Sequence, residues 1–103
     1  MIDSAVGALC RESSRPEFAH QLRFVYEVDG HAVTAYEERT RSDMGDQWIR
    51  IPVARFRFFR SRGEWLLYWM PASGAWEFYE GPRRKLSTLV GYVDTDEYGC
   101  FFG

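Results

Sequence analysis

Apolar positions change their period twice along this chain. Ile2, Val6, Leu9 and Cys10 recur near helical spacing, and Asp3 or Ser4 stands where a first turn is capped, so a short helix is expected over Asp3–Glu12. Gly7 inside it weakens the helix slightly. Ser13-Ser14-Arg15-Pro16 ends it, because proline cannot continue a helix and disfavours helical geometry in its predecessor.

From Gln21 the period becomes two. Gln21–Val28 and His31–Arg39 alternate on either side of Asp29-Gly30, a strong two-residue hairpin signal. A turn centred there sets Val28 against His31, Tyr26 against Val33, Phe24 against Ala35 and Leu22 against Glu37. One face then carries Leu22, Phe24, Tyr26, Val28, Val33 and Ala35, a core face. The other carries Arg23, Glu27, Thr34, Tyr36 and Glu38, a wet one. Thr40–Gln47 is polar and reads as the one long loop. Over Trp48–Arg60 the alternation slips: Ile49, Ile51 and Val53 share one phase, while Ala54, Phe56 and Phe58 share the other. Pro52 sits at that slip, so a bulge or bend is expected there.

Arg62-Gly63 supplies the next hairpin turn and pairs Phe58 with Leu67, Phe56 with Trp69 and Arg57 with Tyr68. A turn at Ser73-Gly74 pairs Trp69 with Phe78 and Tyr68 with Tyr79. The core face so assembled is Phe56, Phe58, Trp65, Leu67, Trp69, Trp76 and Phe78. Beyond Gly81-Pro82, Leu86, Leu89, Val90 and Val93 fall at i, i+3, i+4 and i+7, an amphipathic helix. The expected fold is α+β: a strongly curved five-stranded antiparallel meander with an N-terminal and a C-terminal helix packed on one face. A crossover through Thr40–Gln47 is the alternative for the pairing of the second and third strands.

Composition narrows the functional classes. A chain of 103 residues fits one domain. With 46% hydrophobic and 27% charged residues it is too apolar to be disordered. Its longest apolar run, Trp65–Met70, is far short of the ~20 residues that span a bilayer. The N-terminus has no basic segment leading into an apolar one, so the expected compartment is the cytosol. A net charge of −2 excludes a globally basic nucleic-acid binder and leaves room for a local basic patch. Cys10 and Cys100 stand far apart with no metal-ligand spacing, and read as two small buried apolar residues. No metal and no cofactor is implied. The unusual quantity is the aromatic content, 17%.

Six stations occur in order along the chain: Ser14-Arg15-Pro16, Glu37-Glu38-Arg39, Ile51-Pro52-Val53-Ala54, Trp65 with Tyr68-Trp69, Trp76 with Tyr79, and Gly99-Cys100-Phe101-Phe102-Gly103. In these the chain resembles a small bacterial family known as domain of unknown function 3024, and the terminal motif is the most specific part of the likeness. Thr40 and Glu97 depart from the family pattern where proline is usual, and Phe102 where tryptophan is. The resemblance implies one domain and a bacterial source. It implies no activity.

Three groups of residues could carry chemistry. Arg55, Arg57, Phe59, Leu66, Tyr68, Met70 and Tyr79 share the face opposite the core, with Arg50, Arg60 and Arg62 nearby. Arginine among exposed aromatics suits a protein interface, and less well the stacking of unpaired bases beside phosphates. The same face could be covered by a helix, or held by a cation–π pair of Arg57 over Tyr68. His20, Glu37 and Arg39 form a second group, with His20 opposite Arg39 and Glu37 one pleat along. It suits anion binding or acid–base work, and also an ion pair closing the rim of the core. Asp94, Asp96 and Glu97, with Glu77 and Glu80 within possible reach, form the third, readable as a cation site or as a solvated acidic turn.

No nucleophile elbow, glycine-rich phosphate loop or zinc pattern is present, and two histidines leave little for catalysis. The expected function is therefore a non-catalytic binding or protein-interaction module, its partner another protein or a second copy in a homodimer. Single-stranded nucleic-acid binding through the arginine–aromatic face is the first alternative, disfavoured by net charge. A small-ligand or acid–base enzyme using Glu37 is the second.

Overall fold

The computed structural model describes residues 2–13, 22–40 and 48–101. The Ser14-Arg15-Pro16 stop, His20, the loop 41–47 and Phe102 lie outside them. The elements run α1 (Ile2–Ser13), β1 (Leu22–Asp29), β2 (Ala32–Thr40), β3 (Trp48–Phe59), β4 (Glu64–Trp69), β5 (Glu77–Arg83) and α2 (Leu86–Thr95). Strand order is β1-β2-β3-β4-β5, every pair antiparallel, so the meander forms without a crossover.

The core lies between the sheet and both helices. Val6, Leu9 and Cys10 of α1 and Leu86, Leu89 and Val93 of α2 join Val33, Ala35, Phe56, Trp65 and Leu67 in one buried cluster. Its centre is a row across three strands, Val33 on β2, Phe56 on β3 and Leu67 on β4, directly opposite one another. Phe56 and Leu67 are fully buried at 0% exposure. Burying a phenylalanine and a leucine so completely stabilises the fold by about 1.5–3 kcal/mol each. The helical stripe of α2 appears as its spacing requires, and α1 begins at Ile2, ahead of the expected cap.

The bulge expected at Pro52 is present. Ala35 opposes Ala54 while Tyr36 opposes Pro52, so Val53 is the extra residue of β3. It reverses the strand's phase, and both Val53 and Ala54 are buried in succession.

The hairpin registers differ from expectation in an instructive way. The first turn is Gly30-His31, with Asp29 paired to Ala32, so Val28 opposes Val33, Tyr26 opposes Ala35, Phe24 opposes Glu37 and Leu22 opposes Arg39. The second turn spans Arg60–Gly63, and Phe58 opposes Trp65, Phe56 opposes Leu67 and Arg57 opposes Leu66. Each shift moves a partner by two residues, and two is the side-chain period, so every face is preserved. The third hairpin is different. Tyr68 opposes Phe78 and Trp69 opposes Glu77, one residue from the expected pairing.

That odd shift turns Phe78 out of the core and Tyr79 into it. Phe78 is 55% exposed, whereas Tyr79 packs on the core and meets Phe101 edge-on at 4.9 Å. Tyr79 is the extra residue of β5 between the Tyr68–Phe78 and Leu67–Glu80 pairs, and a second register shift follows near Gly81. Gly81 has φ +128°, and a Cβ there would stand 2.9 Å from both the Trp65 carbonyl oxygen and Leu66 Cδ2, so only glycine fits this close approach.

Four further expectations are corrected. The sheet is open and not strongly curled: β1 and β5 form separate edges, and the Cα envelope extends 46 Å along its longest axis. Bulges raise local twist, but closing a sheet also needs steady strand tilt and stagger. Val28 is 56% exposed at the end of the first hairpin, and Trp69 is only half-buried, opposite Ala54 rather than Phe56. The face of β2 expected to be wet is buried instead, with Thr34 at 4% and Glu38 at 8% exposure. Long side chains from the flanking strands, Arg23 of β1 and Arg50 of β3, reach across β2 to Glu38.

Truncating Phe56 to alanine is expected to cost about 3–5 kcal/mol, and Trp69→Ala at least about 1 kcal/mol less. Urea denaturation of both variants checks the order. A larger loss for Trp69→Ala would contradict this register.

Candidate interaction surface

The sheet face away from the helices is organised as cross-strand rows. At one end, Glu38 stands between Arg23 of β1 and Arg50 of β3. Arg23 Nε donates to its Oε1 at 2.8 Å, and Arg50 donates to its Oε2 from Nε at 3.0 Å and from Nη2 at 2.8 Å. Arg50 also donates to Glu27 through Nη1. Each guanidinium lies over an aromatic ring, Arg23 over Trp48 at 4.0 Å and Arg50 over Tyr36 at 4.7 Å. Burial alone pushes the Glu38 carboxyl up, but the hydrogen bonds and charges of Arg23 and Arg50 outweigh it and hold the group below the usual carboxylate range. The same contacts with Glu27 and Glu38 push Arg50 up. This end of the face satisfies its own charges.

The other end does not. Arg55 opposes Tyr68, which in turn opposes Phe78; Arg57 opposes Leu66; Phe59 opposes Glu64. Tyr68 and Phe78 meet edge to face, with centroids 6.3 Å apart and an interplanar angle of 80°. The Arg57 guanidinium lies over Phe59 at 5.2 Å, not over Tyr68, because the register places Tyr68 beside Arg55. Neither Arg55 nor Arg57 has a carboxylate partner among the described residues. Beside them a depression of about 310 Å³ is lined by Phe59, Ser61, Arg62, Glu64, Leu66 and Pro82. No described helix packs on this face, since both belong to the opposite cluster.

Of the seven residues expected here, Arg55, Arg57, Phe59, Leu66 and Tyr68 share this surface, and Met70 follows β4, half-buried. Tyr79 does not, for the reason given above, and Phe78 takes its place. Alternation alone gives no sign of this exchange, because Trp76, Phe78 and Tyr79 put aromatics in both phases.

The second group is reduced. His20 lies outside the described residues, and Leu22, not His20, stands opposite Arg39. Arg39 donates to Glu37, two residues away on the same strand. The third group is not assembled: among the described residues no three His, Cys, Asp or Glu side chains come together as a metal site. Asp96 instead ends α2 in a left-handed conformation at φ 47°, and its Oδ1 accepts the Phe101 amide at 3.0 Å. Phe101 is thereby held in the core against Tyr79. The Gly99-Cys100-Phe101 motif is explained by this docking.

Fold and surface together define a small α+β protein whose antiparallel sheet carries its helices on one face and an arginine–aromatic surface on the other. The chain belongs to the family described as Domain of unknown function (DUF3024), whose model matches residues 1–103. No curated protein and no solved structure matches it. No described helix is long and apolar enough to cross a membrane.

Glu38→Gln removes the charge that Arg23 and Arg50 share, and is expected to cost about 1–2 kcal/mol at neutral pH, both arginines being partly solvated. Because the folded carboxyl titrates below its unfolded value, its contribution is full above about pH 4.5 and fades as pH falls through the folded pKa. The stability gap between the wild type and Glu38→Gln should therefore narrow on acidification, as read by urea titrations at a series of pH values. A gap independent of pH would contradict the assignment.

Proposed function

We propose that this is a non-catalytic protein-interaction module of the cytosol that binds through the outer face of β3–β5: Arg55, Arg57, Phe59, Leu66, Tyr68, Met70 and Phe78. The observation that carries the proposal is the contrast within one sheet face. Four charged residues at one end neutralise one another, whereas two arginines at the other stand among half-exposed aromatics with no described carboxylate partner. Arginine and aromatic residues are the types enriched in interface cores, and lysine is depleted there. Lys85 is the single lysine among 13 basic residues.

A photo-crosslinking residue in place of Tyr68 is expected to give a discrete protein adduct in cells, and the same residue in place of Tyr92 on α2 is expected to give none. Tyr92 is partly exposed and lies away from this face, so it controls for random collision. Adducts of equal yield from both positions, or none from Tyr68, would contradict the placement of the surface.

A further inference from the structure

We propose that the partner of this face is an extended acidic segment of another protein, with carboxylates at alternate positions i and i+2 and an apolar residue at i+4. The inference rests on the interaction surface proposed above and names its ligand. Arg55, Arg57 and Phe59 are consecutive outward positions of β3. Successive same-face positions of an extended chain lie ~6.6–7 Å apart, so a peptide running along β3 meets this series in step. Two carboxylates reach the two guanidinium groups, and the next same-side residue reaches the depression formed by Phe59, Leu66 and Pro82.

The guanidinium chemistry favours carboxylate. The Arg57 guanidinium lies over Phe59 and has no carboxylate partner among the described residues, so its N–H donors are available to grip a carboxylate in a paired fork. The contact with the ring also restrains the group before binding, so less freedom is lost when the ligand arrives.

Two other occupants fit less well. A second copy of the chain needs about 800 Å² per partner for a stable dimer. Three strands give a face about 14 Å wide and about 20 Å long, roughly 300 Å² in projection, short of that even when doubled for side-chain relief. A single-stranded nucleic acid needs open ring faces on which to stack its bases. Here Phe59 is covered by Arg57, and Tyr68 and Phe78 are engaged edge to face with each other. Glu64 beside the depression also opposes a continuous run of phosphates.

The test is fluorescence anisotropy on the full chain with a labelled synthetic peptide carrying two glutamates at alternate positions and leucine at the next alternate one. At about 50 mM salt, where surface pairs are weakly screened, it should bind about tenfold more tightly than the same peptide with glutamines. It should also bind more tightly than one with the two glutamates adjacent. Arg55→Gln and Arg57→Gln should each weaken binding about fivefold to tenfold, while Arg84→Gln, at an exposed position between β5 and α2, leaves it unchanged. The charge-swapped Arg55→Glu/Arg57→Glu variant should prefer the corresponding lysine peptide, a gain that a misfolded protein could not give. Equal binding of the glutamine peptide, indifference to Arg55→Gln, or tighter binding of an oligothymidylate would overturn the proposal. Failure of the peptide alongside a Tyr68 adduct would show the surface placed correctly and its ligand chemistry wrong; failure of both would remove the surface as well.

Discussion

Both helices pack on one face of the sheet, and the row Val33, Phe56 and Leu67 is the most deeply buried part of that face. Every other feature follows from that one-sided burial. A five-stranded sheet presents two faces, and here the two helices are spent on the first. The second face must then satisfy its polar groups with its own side chains. At the β1–β3 end it does so with arginine and glutamate. Glu38 and Thr34 are buried, yet neither strains the fold, because no buried side-chain polar atom among the described residues lacks a partner.

Two irregularities aim the remaining side chains. Val53 reverses the phase of β3, so that Phe56 points inward while Arg55 and Arg57 point outward. Without that extra residue the register would bury both arginines. Tyr79 does the same for β5, sending its own ring toward Phe101 and Phe78 toward Tyr68. The C-terminal tail secures the second device: Asp96 holds the Phe101 amide, and Phe101 holds Tyr79. The part of the terminal motif that the structure describes thus has a structural role, and it acts on the candidate surface from behind.

Much of this was legible in the chain itself. Alternation specifies which residues share a face, and it tolerates register errors of two, which is why Arg55, Arg57, Leu66 and Tyr68 emerge together although their partners are displaced. The change of phase around Pro52 is visible because the residues on either side of it are strongly apolar. The exchange of Phe78 and Tyr79 is hidden because β5 is aromatic in both phases, and only the tertiary contact with Phe101 decides between them. The burial of Glu38 is hidden too, since it depends on Arg23 and Arg50, which come from two other strands. For the second candidate group, sequence alternation places Glu37 and Arg39 on one face and offers an ion pair as one of its readings, and in the structure these two residues pair with each other.

Hydroxyl-radical footprinting of the isolated protein, read residue by residue by mass spectrometry, tests the central claim most directly. Phenylalanine and tyrosine react at similar intrinsic rates, so neighbouring Phe78 and Tyr79 report which of the two faces the solvent. The account predicts rapid labelling of Phe78 and slower labelling of Tyr79, with Phe56 and Leu67 protected. Rapid labelling of Tyr79 with Phe78 protected would contradict it, restoring the unbulged register and dissolving the surface.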